Sequence, residues 1–317
     1  MQAPAGRKDL LGLSGLPRDE IVTILDEASE MKRRSGEAPQ ALEDLAGRTV
    51  CLLFFEPSTR TMNAFAAAAR NLSADVMAVS AGGNTSVSKG ESFLDTARNL
   101  EAIGTDVFVV RHGSSGAPHR LAPLVRAGIV NGGDGWHEHP TQALLDMFTL
   151  RERFGRLEGL EVAIVGDIRH SRVARSNCFG LVACGARVTL VAPSAWMPEA
   201  AETLGGRVSH SMDEVLPRVD AVMALRIQKE RLGSDPGPSG AAYSAEFGLT
   251  PERMSRARPE CVVLHPGPIN RGVEMTSDVA DSPRSLILEQ VANGVFVRMA
   301  VLARSVRATV EARGGAA

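Results

Sequence analysis

The residues that carry chemistry gather first at Ser58-Thr59-Arg60-Thr61. They follow an apolar, strand-like run, Thr49 to Phe55, and precede an alanine-rich run, Asn63 to Leu72, that reads as helix. A strand turning sharply into a helix leaves the first N–H groups of that helix unpaired. With the helix dipole, those groups form an anion site. Three hydroxyls and one guanidinium in the same turn supply more donors than an ordinary N-cap requires, and they suit phosphate. Arg111 and His139 each lie just past another strand-like segment of the first half, and Arg172, Arg226 and His265 do so in the second half. An arginine at a strand end can simply be solvated, but several converging on one site would hold a substrate with more than one negative charge.

The elements that position these residues alternate. Apolar residues at helical spacing (Ile21, Ile24, Leu25, Ala28, Met31) predict a helix over Asp19 to Arg34. Strands are expected at Val50 to Phe55, Val76 to Val79 and Asp106 to Arg111, with a helix from Ser92 to Ile103. Ala81 to Ser86 reads as a flexible polar loop, and Gly132 to Gly135 as a turn cluster after Ile129-Val130-Asn131. His139-Pro140-Thr141-Gln142 opens a helix to about Phe154. The pattern then restarts, because Leu157 to Val165 echoes Leu45 to Leu53, each a loop glycine followed by an apolar strand. Further strands are expected at Arg187 to Val191, Ala221 to Leu225 and Cys261 to Leu264, a mobile loop between Leu232 and Gly248, and a long helix from Ser285 to Ala312.

Such alternation predicts an α/β fold of two domains, each a parallel β-sheet flanked by helices, with ligands at the carboxyl ends of the strands. The chain of 317 residues is long enough for two domains of about 150 residues each. Lys and Arg nearly balance Asp and Glu, for a formal net charge of -2, so no nucleic-acid or membrane surface is expected and any cationic site is local. No run is long enough to span a bilayer, and Met1 to Lys8 lacks the apolar core of a leader. The four cysteines, Cys51, Cys178, Cys184 and Cys261, are scattered and read as buried reduced thiols of a cytoplasmic protein. His137-Glu138-His139 is a poor metal site, since alternate residues on a turn point apart, and no metal is expected. Asp167 after Val165-Gly166 lacks the glycine fingerprint of a dinucleotide fold.

Together, Ser58-Thr59-Arg60-Thr61, Ser88-Lys89-Gly90-Glu91, Arg111-His112 and His139-Pro140-Thr141-Gln142 resemble the carbamoyl-phosphate domain of carbamoyltransferases. In the second half, His170-Ser171-Arg172, Leu225-Arg226-Ile227-Gln228 and His265-Pro266-Gly267-Pro268 look like the aspartate branch of that family. The ornithine branch carries a cysteine where Pro266 stands. The resemblance covers nearly the whole chain. It implies transfer of the carbamoyl group of carbamoyl phosphate to L-aspartate, the committed step of pyrimidine synthesis, with no cofactor. Residues 1–150 would be the carbamoyl-phosphate domain and 151–289 the aspartate domain, the helix from about 290 to 317 packing back on the first.

Position by position, the resemblance implies that Ser58, Thr59, Arg60 and Thr61 hold the phosphate, and that Thr61, Arg111 and His139 contact the carbonyl oxygen. Gln142 and the backbone of Pro266, Gly267 and Pro268 grip the carbamoyl NH2. Arg172, Arg226 and Gln228 take the aspartate carboxylates. Lys89 reaches both substrates from a neighbouring subunit of a homotrimer with shared active sites, and Glu56 pairs with Arg172 and Arg231 when the ligands are bound. Further assembly with regulatory or dihydroorotase chains is compatible with the family. Two departures stand out. Met62 and Ala66 replace a basic residue and a glutamate that would pair four apart on a helix face, a compensated loss that strands no charge. Gly267 replaces a common leucine. A catalytically silent homologue would be expected to lose Arg60, Lys89, Arg172 or Arg226, and all four are present.

Overall fold

A computed structural model describes residues 7–36, 41–80, 91–227 and 237–314. Chain contacts divide it into two compact units, one of Met1–Leu13, Val22–Thr141 and Asn293–Ala317, the other of Ser14–Ile21 and Gln142–Ala292. Strands are β1 (Thr49–Phe54), β2 (Asp75–Ser80), β3 (Val107–His112), β4 (Gly128–Asp134), β5 (Glu161–Val165), β6 (Arg187–Val191), β7 (Arg207–Ser209), β8 (Ala221–Ala224) and β9 (Val262–Leu264). The described helices of eight residues or more are α1 (Arg18–Ser35), α2 (Thr59–Asn71), α3 (Phe93–Ala102), α4 (Pro140–Phe154), α5 (Arg172–Ala183), α6 (Gly240–Phe247) and α7 (Ile287–Gly314).

The first unit holds a parallel sheet in the order β2-β1-β3-β4, the second a parallel sheet in the order β7-β6-β5-β8-β9. In each, a central strand enters by the same local device. Gly47 and Gly159 both adopt left-handed backbone, φ 72 and 73, in a turn closed by Arg48 N–H to Leu45 O (3.0 Å) and Leu160 N–H to Leu157 O (3.1 Å). An aspartate at the start of the neighbouring strand then fixes register. Asp106 accepts from Thr49 N–H at 3.0 Å and donates its own N–H to Thr49 O at 2.9 Å. Asp220 does the same with Glu161, at 2.9 Å and 2.8 Å. The echo between Leu45–Leu53 and Leu157–Val165 is therefore a repeated strand start.

Val50 to Phe54 of β1 and Val107 to Arg111 of β3 are all buried, as apolar runs covered on both faces must be. Around them pack Ala97, Leu121, Val125 and Ile129. Helix α2 turns Phe65, Ala68 and Ala69 inward, and the Arg298 guanidinium lies 5.1 Å from the Phe65 ring centroid. No described helix is long and apolar enough to cross a membrane.

Three sequence expectations change. The glycines at 132 and 133 continue β4 to Asp134, because this fully buried strand has no room for side chains where β3 packs close: a Cβ on Gly132 would lie 3.2 Å from Val109. Within the stretch expected as a mobile loop, residues 240–247 form α6, capped by Ser239 accepting from Ala242 N–H, with Tyr243 and Phe247 buried and stacked. Strand β7 is three residues long, too short for its pattern to show in sequence.

All four cysteines are free and buried. Burial pushes the thiols of Cys51, Cys178 and Cys261 up to about 12 and raises that of Cys184. At pH 8 a thiol of that pKa is ionised to only about one part in ten thousand, and the thiolate is the reactive form. The native protein should therefore release less than one equivalent from dithiobis(nitrobenzoate) at pH 8 within an hour, and four after denaturation. Rapid native labelling of two or more thiols would contradict this packing.

Candidate active site

In the first unit, the parallel register sets the end of β1 beside Arg111. Phe54 at the end of β1 is opposite Arg111 in β3, and Phe55 N–H donates to Arg111 O at 2.7 Å. The next residues turn into α2, which begins at Thr59, four residues before the alanine run suggests, so that Thr59, Arg60 and Thr61 form its first turn. The β-branched threonines hide that start from a reading based on helix propensity.

Ser58 sits at the N-cap with extended backbone, φ -160 and ψ 95, yet its side chain caps no N–H. Its hydroxyl instead donates to Thr61 Oγ1 at 3.0 Å. By contrast, Ser92, Ser171 and Ser239 each accept from the N–H three residues on, in α3, α5 and α6. A helix offers no carbonyl of its own to its first N–H groups, and here the serine in the capping position leaves them to another acceptor. Thr61 is buried while Arg60 is exposed, so the turn has a fixed floor and a long cationic arm at its rim.

Arg111 is only 8% exposed. Its Nη1 donates to Gly132 O at 3.0 Å and its Nη2 to Glu56 Oε1 at 2.8 Å. The pairing of Glu56 with Arg172 and Arg231 that the resemblance implies belongs to the ligand-bound state. Arg172 belongs to the other unit, and Arg231 lies outside the described residues. The Glu56–Arg111 pair holds a buried guanidinium in a fixed plane, as an oxyanion donor requires.

His139, also buried, follows a loop built on Asp134. This carboxylate accepts from Gly116 N–H (2.6 Å), Asn131 Nδ2 (2.8 Å) and Glu138 N–H (3.1 Å), and His137 Nδ1 lies 3.1 Å from it. His119, Asp134 and His137 come within 4.8 Å of one another, but both carboxylate oxygens already have two partners, so the cluster organises the loop. Glu138 points elsewhere and accepts from Leu13 N–H at 2.7 Å. His137 and Glu138 are thus absorbed by structure, leaving His139 at the start of α4.

In the second unit, Asp167 and His170 close the turn after β5: His170 N–H donates to Asp167 Oδ1 at 3.1 Å and its ring Nδ1 lies 3.0 Å from Oδ2. Ser171 then caps α5, whose first residue is the buried Arg172. Arg226 follows β8, and the adjoining backbone is clamped by Glu274, which sequence reasoning missed. Glu274 accepts from Ile227 N–H (2.8 Å), Asn270 N–H (2.7 Å) and Asn270 Nδ2 (2.6 Å). Burial raises its pKa against these hydrogen bonds. Gly267 has φ 67, a conformation that glycine adopts without cost and leucine does not, and its N–H donates to His265 Nδ1 at 2.8 Å. Gln142 is half-buried in α4. Lys89 with the loop of residues 81–90, and Gln228, lie outside the described residues.

Comparison with known proteins agrees with both halves. Residues 8–152 match the family described as aspartate/ornithine carbamoyltransferase, carbamoyl-P binding domain, and residues 158–305 match its Asp/Orn binding domain. The aspartate carbamoyltransferase catalytic subunit of Acidothermus cellulolyticus is 54% identical over 295 residues, 93% of this chain and 91% of that protein. The one from Salinispora arenicola is 56% identical over 282 residues, 88% of this chain and 91% of that protein. Among solved structures, aspartate transcarbamoylase of Trypanosoma cruzi in complex with N-(phosphonacetyl)-L-aspartic acid superposes with a TM-score of 0.86 at 33% identity, covering 96% of this chain and 97% of the other. The chain belongs to the aspartate/ornithine carbamoyltransferase family, alongside the aspartate carbamoyltransferase catalytic subunits.

Proposed function

We propose that the chain transfers the carbamoyl group of carbamoyl phosphate to the amine of L-aspartate, giving N-carbamoyl-L-aspartate and phosphate, the committed step of pyrimidine synthesis in the cytoplasm. The observation that carries the reading is the first turn of α2. There Ser58 leaves the helix N–H groups uncapped, and Thr59, Arg60 and Thr61 surround them with donors.

In this reading Ser58, Thr59, Arg60 and Thr61 bind the phosphate, while Thr61, Arg111 and His139 donate to the carbonyl oxygen. The aspartate nitrogen forms a bond to the carbonyl carbon, and the C=O electron pair moves onto oxygen. The amine attacks in its neutral form. As the C=O pair returns, the bond from the carbonyl carbon to the bridging oxygen breaks and phosphate leaves with that oxygen, its oxygens taking the proton the new C–N nitrogen gives up. Each donor fixed at the oxyanion contributes about 3 kcal/mol to the transition state. Arg111 suits the task because Glu56 and Gly132 hold its plane before substrate arrives. His139, among cationic donors, polarises the oxygen. Gln142 with Pro266, Gly267 and Pro268 takes the carbamoyl NH2, and Arg172, Arg226 and Gln228 the carboxylates of aspartate. Lys89 reaches both substrates from the neighbouring subunit of a homotrimer, which can assemble further with regulatory or dihydroorotase chains.

Purified protein should form ureido product from carbamoyl phosphate with aspartate and none with ornithine; a folded protein inactive with aspartate overturns the proposal. Arg60→Ala should lower kcat at least a thousandfold with little change in thermal midpoint. Arg226→Ala should raise the KM for aspartate about ten- to a hundredfold, the worth of a hydrogen bond to a charged group, while the KM for carbamoyl phosphate stays put. An unchanged aspartate KM rejects the role of Arg226. Sedimentation of the isolated chain at the mass of a monomer would reject the shared site.

A further inference from the structure

A buried carboxylate that no sequence motif singles out lies beneath the residues expected to hold the carbamoyl NH2. Asp146 of α4 has no exposed surface. Its Oδ1 accepts from Gln142 Nε2 at 2.9 Å, one helical turn back, and from Gln290 Nε2 at 2.7 Å. Its Oδ2 accepts from Asn177 Nδ2 of α5 at 2.8 Å. Gln290, itself 2% exposed, turns its other end to the backbone and accepts from His265 N–H at 3.0 Å.

An ionised carboxylate only accepts hydrogen bonds, whereas a primary amide donates at one end and accepts at the other. Asp146 therefore decides which end of each neighbouring amide faces it. For Gln142 the NH2 is committed inward, and among the described residues no hydrogen bond engages Oε1 of this half-buried side chain. The free end is thus an acceptor, which a carbamoyl NH2 requires. For Gln290 the same oxygen fixes the amide so that its carbonyl anchors His265, the residue from which the Pro266-Gly267-Pro268 backbone departs. We infer that Asp146 is a positioning residue: by orienting the amides of Gln142 and Gln290 it makes the site present acceptors to the carbamoyl NH2, and so select that group over a methyl of the same size. The inference rests on the role proposed for Gln142.

Acetyl phosphate supplies the comparison, since it keeps the phosphate and carbonyl and replaces the NH2 by CH3. Asp146→Ala should raise the KM for carbamoyl phosphate about tenfold, and leave the inhibition constant of acetyl phosphate within about twofold of wild type. Equal weakening of both ligands, or of neither, overturns the inference. In a Gln142→Ala background the Asp146→Ala effect should shrink, because part of it acts through the missing amide. An undiminished effect overturns the coupling while the role of Gln142 stands. If Gln142→Ala alone leaves the carbamoyl phosphate KM unchanged, the role of Gln142 falls, and the inference with it. Should Asp146→Ala fail to fold, side-chain 15N-labelled wild-type protein reads the same contact. The Gln142 Nε2 protons should exchange slowly with water before and after carbamoyl phosphate binds, and exchange at the rate of a free amide overturns the inference.

Discussion

The first turn of α2 constrains the rest of the first unit. A helix starting at Thr59 must leave its opening N–H groups without intrahelical acceptors, and a capping serine ordinarily offsets that by about 1 kcal/mol. Ser58 gives its hydroxyl to Thr61 instead. The chain therefore carries a positively polarised turn with no side-chain cap, a place where an anion would be stabilising. Such a turn holds its shape only if everything around it is rigid. β1 is hydrogen-bonded on both sides, to β2 and β3, and α2 is pinned by Phe65, Ala68 and Ala69. Stability is sacrificed at one turn and recovered in the sheet below it.

Buried cations and amides in each unit create a second difficulty, because a guanidinium or amide held away from water needs partners. The fold meets it with carboxylates. Glu56 faces Arg111, Asp134 ties the loop ahead of His139, Asp167 closes the turn ahead of Arg172, Glu274 clamps the backbone beside Arg226, and Asp146 sits under Gln142. This is how a chain of net charge -2 keeps guanidinium groups such as Arg111 and Arg172 buried. Each acid serves one group of donors, so the field is shaped residue by residue and owes little to net charge.

The cations were legible in the sequence and their acids were not. Arg60, Arg111, His139, Arg172 and Arg226 announce themselves because each follows an apolar strand-like run, a pattern confined to a few neighbouring residues. Asp134, Asp167 and Asp146 are close in sequence to the residues they serve, but the other two acids are distant: Glu56 lies 55 positions from Arg111 and Glu274 47 from Ile227. No local pattern marks such distant pairs. The strands were legible where burial on both faces made them continuous apolar runs, as in β1, β3 and β5. They were missed where pattern fails, as in the three residues of β7 and the glycines inside β4. α6 was hidden by its glycine- and proline-rich approach; its single Ser239 cap and the buried pair Tyr243 and Phe247 are the local signals that reveal it.

The two units also show which parts of this architecture are free to change. Their sheets begin alike, with a left-handed glycine and an aspartate fixing the first pair of strands, and end in different chemistry. In a parallel sheet the amino ends of the strands carry stability and the carboxyl ends carry ligands, so the common starts are retained while the ends diverge. α2 repeats the division within one helix. Its first turn holds the donors, and Phe65, Ala68 and Ala69 anchor it, with Arg298 stacked over Phe65. Met62 and Ala66 belong to neither set: both are half-buried, and an ion pair missing from those positions leaves no charge stranded. Replacing both partners with apolar residues therefore changes the flank of the helix and leaves its first turn, Thr59 to Thr61, as it is.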